Sequence, residues 1–187
     1  MARLTLIDPE ETSGEVRAAF DLLPARLNIF RMMAHAETCM APLLRLGGSI
    51  LALQQLGGRE RELVILQVAA LEGGEYEWRQ HVPIAKAAGV TSEQIAALEE
   101  CVFDSHVFSE AERALLAFSR QVIEDVRVEA PVFAAMRVHF SEREIVETIL
   151  AIGFYMMMSR LTEATETDLD PAAGTAVVDA IKEEDLK

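Results

Sequence analysis

Glu77 and His81 stand four residues apart in the stretch EYEWRQH. On a helix that spacing puts both side chains on one face, within hydrogen-bonding reach. A carboxylate beside an imidazole holds one ring tautomer and stabilises the protonated ring, which equips the pair as a general acid or base. Glu62 lies nineteen residues before His81, inside the otherwise largely apolar run RERELVILQVAAL. Burying an unpaired acid is costly, so Glu62 requires a partner. His81 is one choice; Arg59 and Arg61 are the alternatives. A solvated helix face is the ordinary explanation of a Glu/His pair, and the buried acid nearby is what argues for chemistry. One imidazole with two carboxylates is a poor metal set, so neither metal nor other cofactor is expected.

Other residues are weaker candidates. Tyr76 and Trp78 flank Glu77 and read as substrate contacts, with a plain core role as the alternative for Trp78. Arg31 and Arg79 are candidates to hold a substrate carboxylate, whereas Arg59 reads as a surface ion-pair partner. Cys39 and Cys101 are 62 residues apart and fit neither a zinc motif nor a disulfide framework. Both are expected to be buried as small hydrophobes. His35, His106 and His139 have no partner at suitable spacing.

The elements that must position these groups are helical. Val16, Ala19, Phe20 and Leu23 form one apolar face after Ser13, and Pro24 stops that helix. Leu27 to Ala34 reads as a short turn or helix. Thr38 is a candidate cap for a helix with Pro42 in its first turn, running to Leu56 and ending at Gly57-Gly58. Arg59 to Leu71 reads as a buried helix because it is apolar nearly all round. Gly73-Gly74 breaks it and folds the next helix, kinked at Pro83, back antiparallel, which lets Glu62 reach His81. Capping boxes at Thr91/Gln94, Ser109/Glu112 and Ser141/Glu144 open three more helices. No segment alternates with period two, so the fold class is all-α. Arg61-Glu62-Leu63-Val64 echoes Arg143-Glu144-Ile145-Val146, which raises the expectation of two related helical hairpin repeats.

The bulk numbers agree. The chain has 187 residues, 51% apolar and 26% charged, with few aromatics, a balance that favours one compact helical domain. A net charge of −14 argues against nucleic acid and anionic membranes. Glu163 to Lys187 holds eight acids and two bases, so part of that charge is expected in a solvated acidic tail. No signal peptide or uncharged 18-residue apolar window is evident, and a cytoplasmic location is the default expectation. Residues 1–26 are expected to be an N-terminal helical extension, 27–166 the domain, and 167–187 the tail. Met156-Met157-Met158 on a long apolar helix suggests core or a subunit interface.

GGRERELVILQVAALEGGEYEWRQHVPIAKAAGVTSEQI, with LNIFRMMAHAETCMAPLLRLGGSIL before it and SEREIVETILAIGFYMMMSRL after it, resembles the carboxymuconolactone decarboxylase/AhpD-like family. The resemblance spans most of residues 27 to 161 and implies an AhpD-like helical bundle that assembles as a homo-oligomer (dimer, trimer or hexamer). The peroxidase branch of that family uses a Glu, a CxxC pair and a His. Aligned on His81, the Glu is Glu62, but the two cysteine positions are Gly74 and Glu77. The decarboxylase branch lacks the pair and has a Glu four residues before the His, as Glu77 and His81 do. The resemblance therefore implies a cofactor-independent decarboxylase, a lyase, or a related proton-transfer enzyme. Its substrate would be a small carboxylated or lactone-like molecule, with His81 shuttling the proton, Glu77 orienting it and Glu62 assisting. The alternatives are an alkylhydroperoxidase of peroxiredoxin type that depends on Cys39 or Cys101, and a non-catalytic small-molecule-binding oligomer.

Overall fold

Helix α4 (Gly58–Glu72) is the centre of the fold, and its sequence explains why. Residues 61–69 are all buried. Val64, Ile65 and Val68 face a large cluster built with Phe20, Met33, Met40, Leu115, Phe118, Ile152 and Tyr155. Leu63 and Leu66 face a second cluster with Ala85, Val90, Leu98, Phe103, Phe108 and Leu116. A helix with core on both sides must be apolar on both sides. The computed structural model describes residues 1–176 and 178–180, and among these there are helices and no strand.

After a short 3-10 turn at Pro9–Glu11 come α1 (Gly14–Asp21), α2 (Asn28–Met33) and α3 (Glu37–Ala52). Helix α4 and α5 (Glu75–Ala87) form a hairpin, followed by α6 (Ser92–Glu99), α7 (Glu110–Asp125), α8 (Ala130–His139) and α9 (Glu142–Thr165). Helix α4 packs most extensively on α9 and α5, then on α7. The expected buried hairpin, the stop before Pro24 and the capping boxes at Thr91, Ser109 and Ser141 are all present. Each box satisfies two otherwise orphaned backbone donors.

Three readings of the sequence are corrected. Helix α3 starts at Glu37 with Ala36 as its cap, so Pro42 lies beyond the first turn, and it ends at Ala52 before Leu56. The backbone N–H of Leu56 instead donates to the buried Glu147 carboxylate at 2.8 Å, which is how α9 tolerates an acid in its apolar run. Helix α8 has no counterpart in the sequence reading; it opens with Pro131 in its first turn and buries only Met136. Cys39 and Cys101 are exposed rather than buried. The acidic C-terminal segment is not solvated along its whole described length. Its first part lies against the body, where Asp170 accepts from the Asn28 N–H at 2.6 Å and from the Tyr76 hydroxyl at 2.5 Å. Gln80 completes the attachment by accepting from the Ala173 N–H at 3.0 Å and donating to the Asp170 and Pro171 carbonyls. The rest of the tail, residues 181–187, lies outside the described residues.

Candidate active site

The α4–α5 hairpin turns at Gly73, whose φ of 68° is the left-handed conformation that glycine adopts without strain. The turn brings the two helices back to back, and Glu62 meets His81 across them: Nδ1 lies 2.8 Å from the carboxylate Oε2. Glu62 is fully buried and His81 nearly so. Its other oxygen, Oε1, is 3.5 Å from Nε of the buried Arg61. Both alternatives left open for Glu62 on the α4 side are thereby resolved: Arg61 stands beside it, while Arg59 turns away to Glu112, Gln94 and the Gly89 carbonyl as a structural ion pair.

With Nδ1 donating to a carboxylate, Nε2 is the ring nitrogen left with a lone pair. The edge of Tyr155, from α9, packs on this ring with centroids 4.8 Å apart. His81, Glu77 and Tyr155 all line a cavity of about 740 Å³. Glu62 does not line it and acts from behind His81. Glu77 is 4% exposed, and its Oε1 is buried without a hydrogen-bond partner. Burial pushes its carboxyl from the ordinary 4.5 up to about 7, against the opposing attraction of His81 and with a smaller push from Glu163. The contact expected between Glu77 and His81 is made by Glu62 instead: Glu62 hydrogen-bonds the ring, and Glu77 makes no hydrogen bond to it and lines the cavity.

Of the four expected substrate contacts, only Tyr76 lines the cavity, and its hydroxyl is engaged by Asp170. Trp78 sits on the opposite side of α5, against the second cluster. Arg79 is exposed and off the cavity. Arg31 is tied to the Ile7 carbonyl and to Asn28. The reason is helical phase: 76, 77, 80, 81 and 84 share the inward face of α5, and 78 and 79 do not. Tyr155 and Gln80 are cavity residues that the sequence reading passed over. Gln80 was legible as the i+3 neighbour of Glu77, but Tyr155 is brought in from a helix more than seventy residues away.

Residues 38–121, which run from α3 into α7, match the model of the Carboxymuconolactone decarboxylase family. The match covers somewhat less than half of the chain. Its solved structural neighbours share the AhpD-like fold. An alkylhydroperoxidase AhpD core protein from Ralstonia eutropha JMP134 superposes with a TM-score of 0.78 at 17% identity, covering 90% of this chain and 92% of that one. An AhpD antioxidant-defence candidate from Agrobacterium tumefaciens gives 0.67 at 24% identity, covering 73% and 94%. A cysteine-to-alanine variant of the debrominase Bmp8 in complex with 2,3,4-tribromopyrrole gives 0.73 at 19% identity, covering 98% and 99%. No curated protein matches the chain.

No thiol lines this cavity among the described residues: neither Cys39 nor Cys101 is on its wall. At Gly74, the first of the two positions where the peroxidase branch has cysteine, a Cβ atom would lie 2.5 Å from Oγ of Ser159 and 3.0 Å from its Cβ. The space a side chain there would need is already filled by α9. Among the described residues no cluster of three histidine, cysteine or acidic groups is arranged to hold a metal ion.

Proposed function

We propose that this chain is a cofactor-independent proton-transfer enzyme of the carboxymuconolactone decarboxylase type, acting on a small lactone-like or carboxylated carbonyl compound. The observation that carries the reading is the buried Glu62–His81 pair set at the polar end of an apolar cavity. Glu62 holds Nδ1–H, so Nε2 is the base that removes a proton from a carbon beside the substrate carbonyl. For a decarboxylation the C–CO₂ bond breaks instead, and its electron pair moves onto the conjugated carbonyl as an enolate. CO₂ departs, and the Glu77 carboxyl gives its proton to the carbon. The Tyr155 hydroxyl, on the same wall, is the donor for the oxyanion. The low-dielectric surroundings strengthen each of these contacts and favour loss of charge from a carboxylate.

The debrominase neighbour, solved in complex with 2,3,4-tribromopyrrole, supports the view that this scaffold suits ligands of low polarity. The thiol-peroxidase alternative is disfavoured by the positions of both cysteines. A homo-oligomer is proposed as the working form, with the outer face of α9 as its contact surface.

The test is turnover of a panel of lactones and β-keto acids, followed by CO₂ release and by deuterium uptake from heavy water. His81→Ala is expected to lose about 10²- to 10⁴-fold in kcat, the range of a general acid–base contribution. Undiminished turnover in that variant would falsify the mechanism.

A further inference from the structure

The cavity is much larger and more apolar than the compact substrate of the simple proton-transfer reading requires. At about 740 Å³ it is of a size that encloses a drug-sized ligand, roughly 300–1,000 Å³. Its buried polar side chains sit at one end, on α5 and α9, whereas Glu15, Thr38, Arg45 and Ser49 on α1 and α3 are exposed. Two of the buried ones are already spoken for: the Tyr76 hydroxyl by Asp170, and the Gln80 amide by Asp170, Pro171 and Ala173. That leaves Nε2 of His81, the Glu77 carboxyl and the Tyr155 hydroxyl to meet a ligand. The remaining body of the cavity is hydrocarbon from α1 to α3 and α9, with Ala19, Phe30, Leu44, Leu51, Phe154 and Met158 on its walls. Gly47 widens it there: a Cβ at that position would meet the Phe154 ring at 2.8 Å, so glycine lets the ring lie back against α3. The only lining cation among the described residues is Arg45, which is exposed at the rim alongside Glu15. Nothing near the polar end offers a counter-charge to an anionic head.

We infer that the ligand is an amphiphile with one uncharged carbonyl-type head at His81 and a long hydrocarbon or aromatic body lying between α1 and α3. This deepens the proton-abstraction arm of that reading and rests on it for the placement of the head; it argues against the decarboxylation arm, whose substrate carries a carboxylate. A carboxylate head would face the Glu77 carboxyl with no cation to offset it, whereas a ketone, lactone or ester oxygen accepts from Tyr155 and presents its adjacent carbon to Nε2. Each methylene of the body removed from water adds affinity, so tail length rather than charge sets recognition.

The experiment is calorimetric binding of a graded series of straight-chain methyl ketones to the full chain, alongside alkanoates of matched length. The ketone dissociation constant is expected to fall about fourfold per added methylene, and the matched alkanoates to bind at least about tenfold more weakly, the factor that 1.4 kcal/mol produces. Ala41→Phe, which adds bulk on the α3 wall, is expected to remove the benefit of the longer tails; circular dichroism checks that the variant is folded, and the unmodified chain decides the matter if it is not. A flat ketone series, or alkanoates that bind as well as ketones, overturns the inference. His81→Ala separates the two readings. If the ketone series stays steep in that variant while turnover is never detected in the parent, the amphiphile site stands and the enzymatic reading falls. If turnover of small lactones depends on His81 but the ketone series is flat, the reverse holds.

Discussion

At the residue scale the decisive feature is that two buried acids flank one imidazole and do different things. Glu62 holds the ring through Oε2, while its Oε1 stands 3.5 Å from Arg61 Nε without a hydrogen bond. Glu77 carries the cost of burial without a hydrogen bond on Oε1. That cost is visible as pH dependence. Below the ordinary value of 4.5 the carboxyl is protonated whether the chain is folded or not. Between 4.5 and about 7 the unfolded chain gives up this proton first, so stability falls as pH rises, and the penalty is complete above about 7. The gap corresponds to about 3 kcal/mol, at ~1.4 kcal/mol per pH unit. Glu77→Gln is therefore expected to be more stable than the parent above neutrality, by up to about that amount, and to lose the advantage near the lower end of the window. Urea denaturation at the two pH extremes measures this; equal stabilities throughout would show that the carboxyl is not held protonated. The same variant is expected to lose turnover, the usual relation between a strained site and its activity.

At the element scale, α9 does more than close the core. Its Ser159 stands in the space that a side chain at residue 74 would need, and Gly74 is what lets the α4–α5 hairpin close against it. Installing a thiol there is an overpacking substitution. Gly74→Cys is expected to destabilise by about 1–3 kcal/mol, and adding Ser159→Ala should return part of the loss, since the Ser159 hydroxyl has no partner to forfeit. Thermal melts of the two variants are the check, and an unperturbed Gly74→Cys would mean the corner is looser than its contacts indicate. The C-terminal strap makes a separate prediction. Gln80 holds it through the Ala173 N–H and two carbonyls, so Gln80→Ala should raise amide hydrogen exchange across residues 170–174. Exchange in α4, whose protection comes from core burial, should stay unchanged.

At the scale of the whole molecule, the unfinished surface is the outer side of α9. This is the one described helix long and apolar enough to cross a bilayer, yet half of its most apolar window is buried in the core against α4 and α5. Val146, Ile149, Leu150 and Met157 remain exposed along the other side, spaced at helical intervals around Gly153. If that stripe is the contact surface of the proposed homo-oligomer, Ile149→Glu with Leu150→Glu should lower the mass found by light scattering while leaving the helical circular dichroism signal intact. An unaltered mass would locate the contact elsewhere or show the parent to be monomeric.

The sequence by itself determined much of what is local: all-helical content, three capping boxes, the glycine corner after α4 and the burial of α4, though not α8 or the ends of α3. Each follows from periodicity or from backbone groups satisfied within a few residues. The pairing of Glu62 with His81 was legible as well, because a tight antiparallel hairpin leaves a buried acid few partners. What only the tertiary structure decided was which acid touches the ring, since i,i+4 spacing permits a contact between Glu77 and His81 but does not prefer it over one from a facing helix. The same holds for Tyr155, for the space at Gly74 and for the strap on Gln80. These depend on helix phase and on contacts across 70 to 94 positions of chain, where no local pattern records the neighbour and only packing selects it.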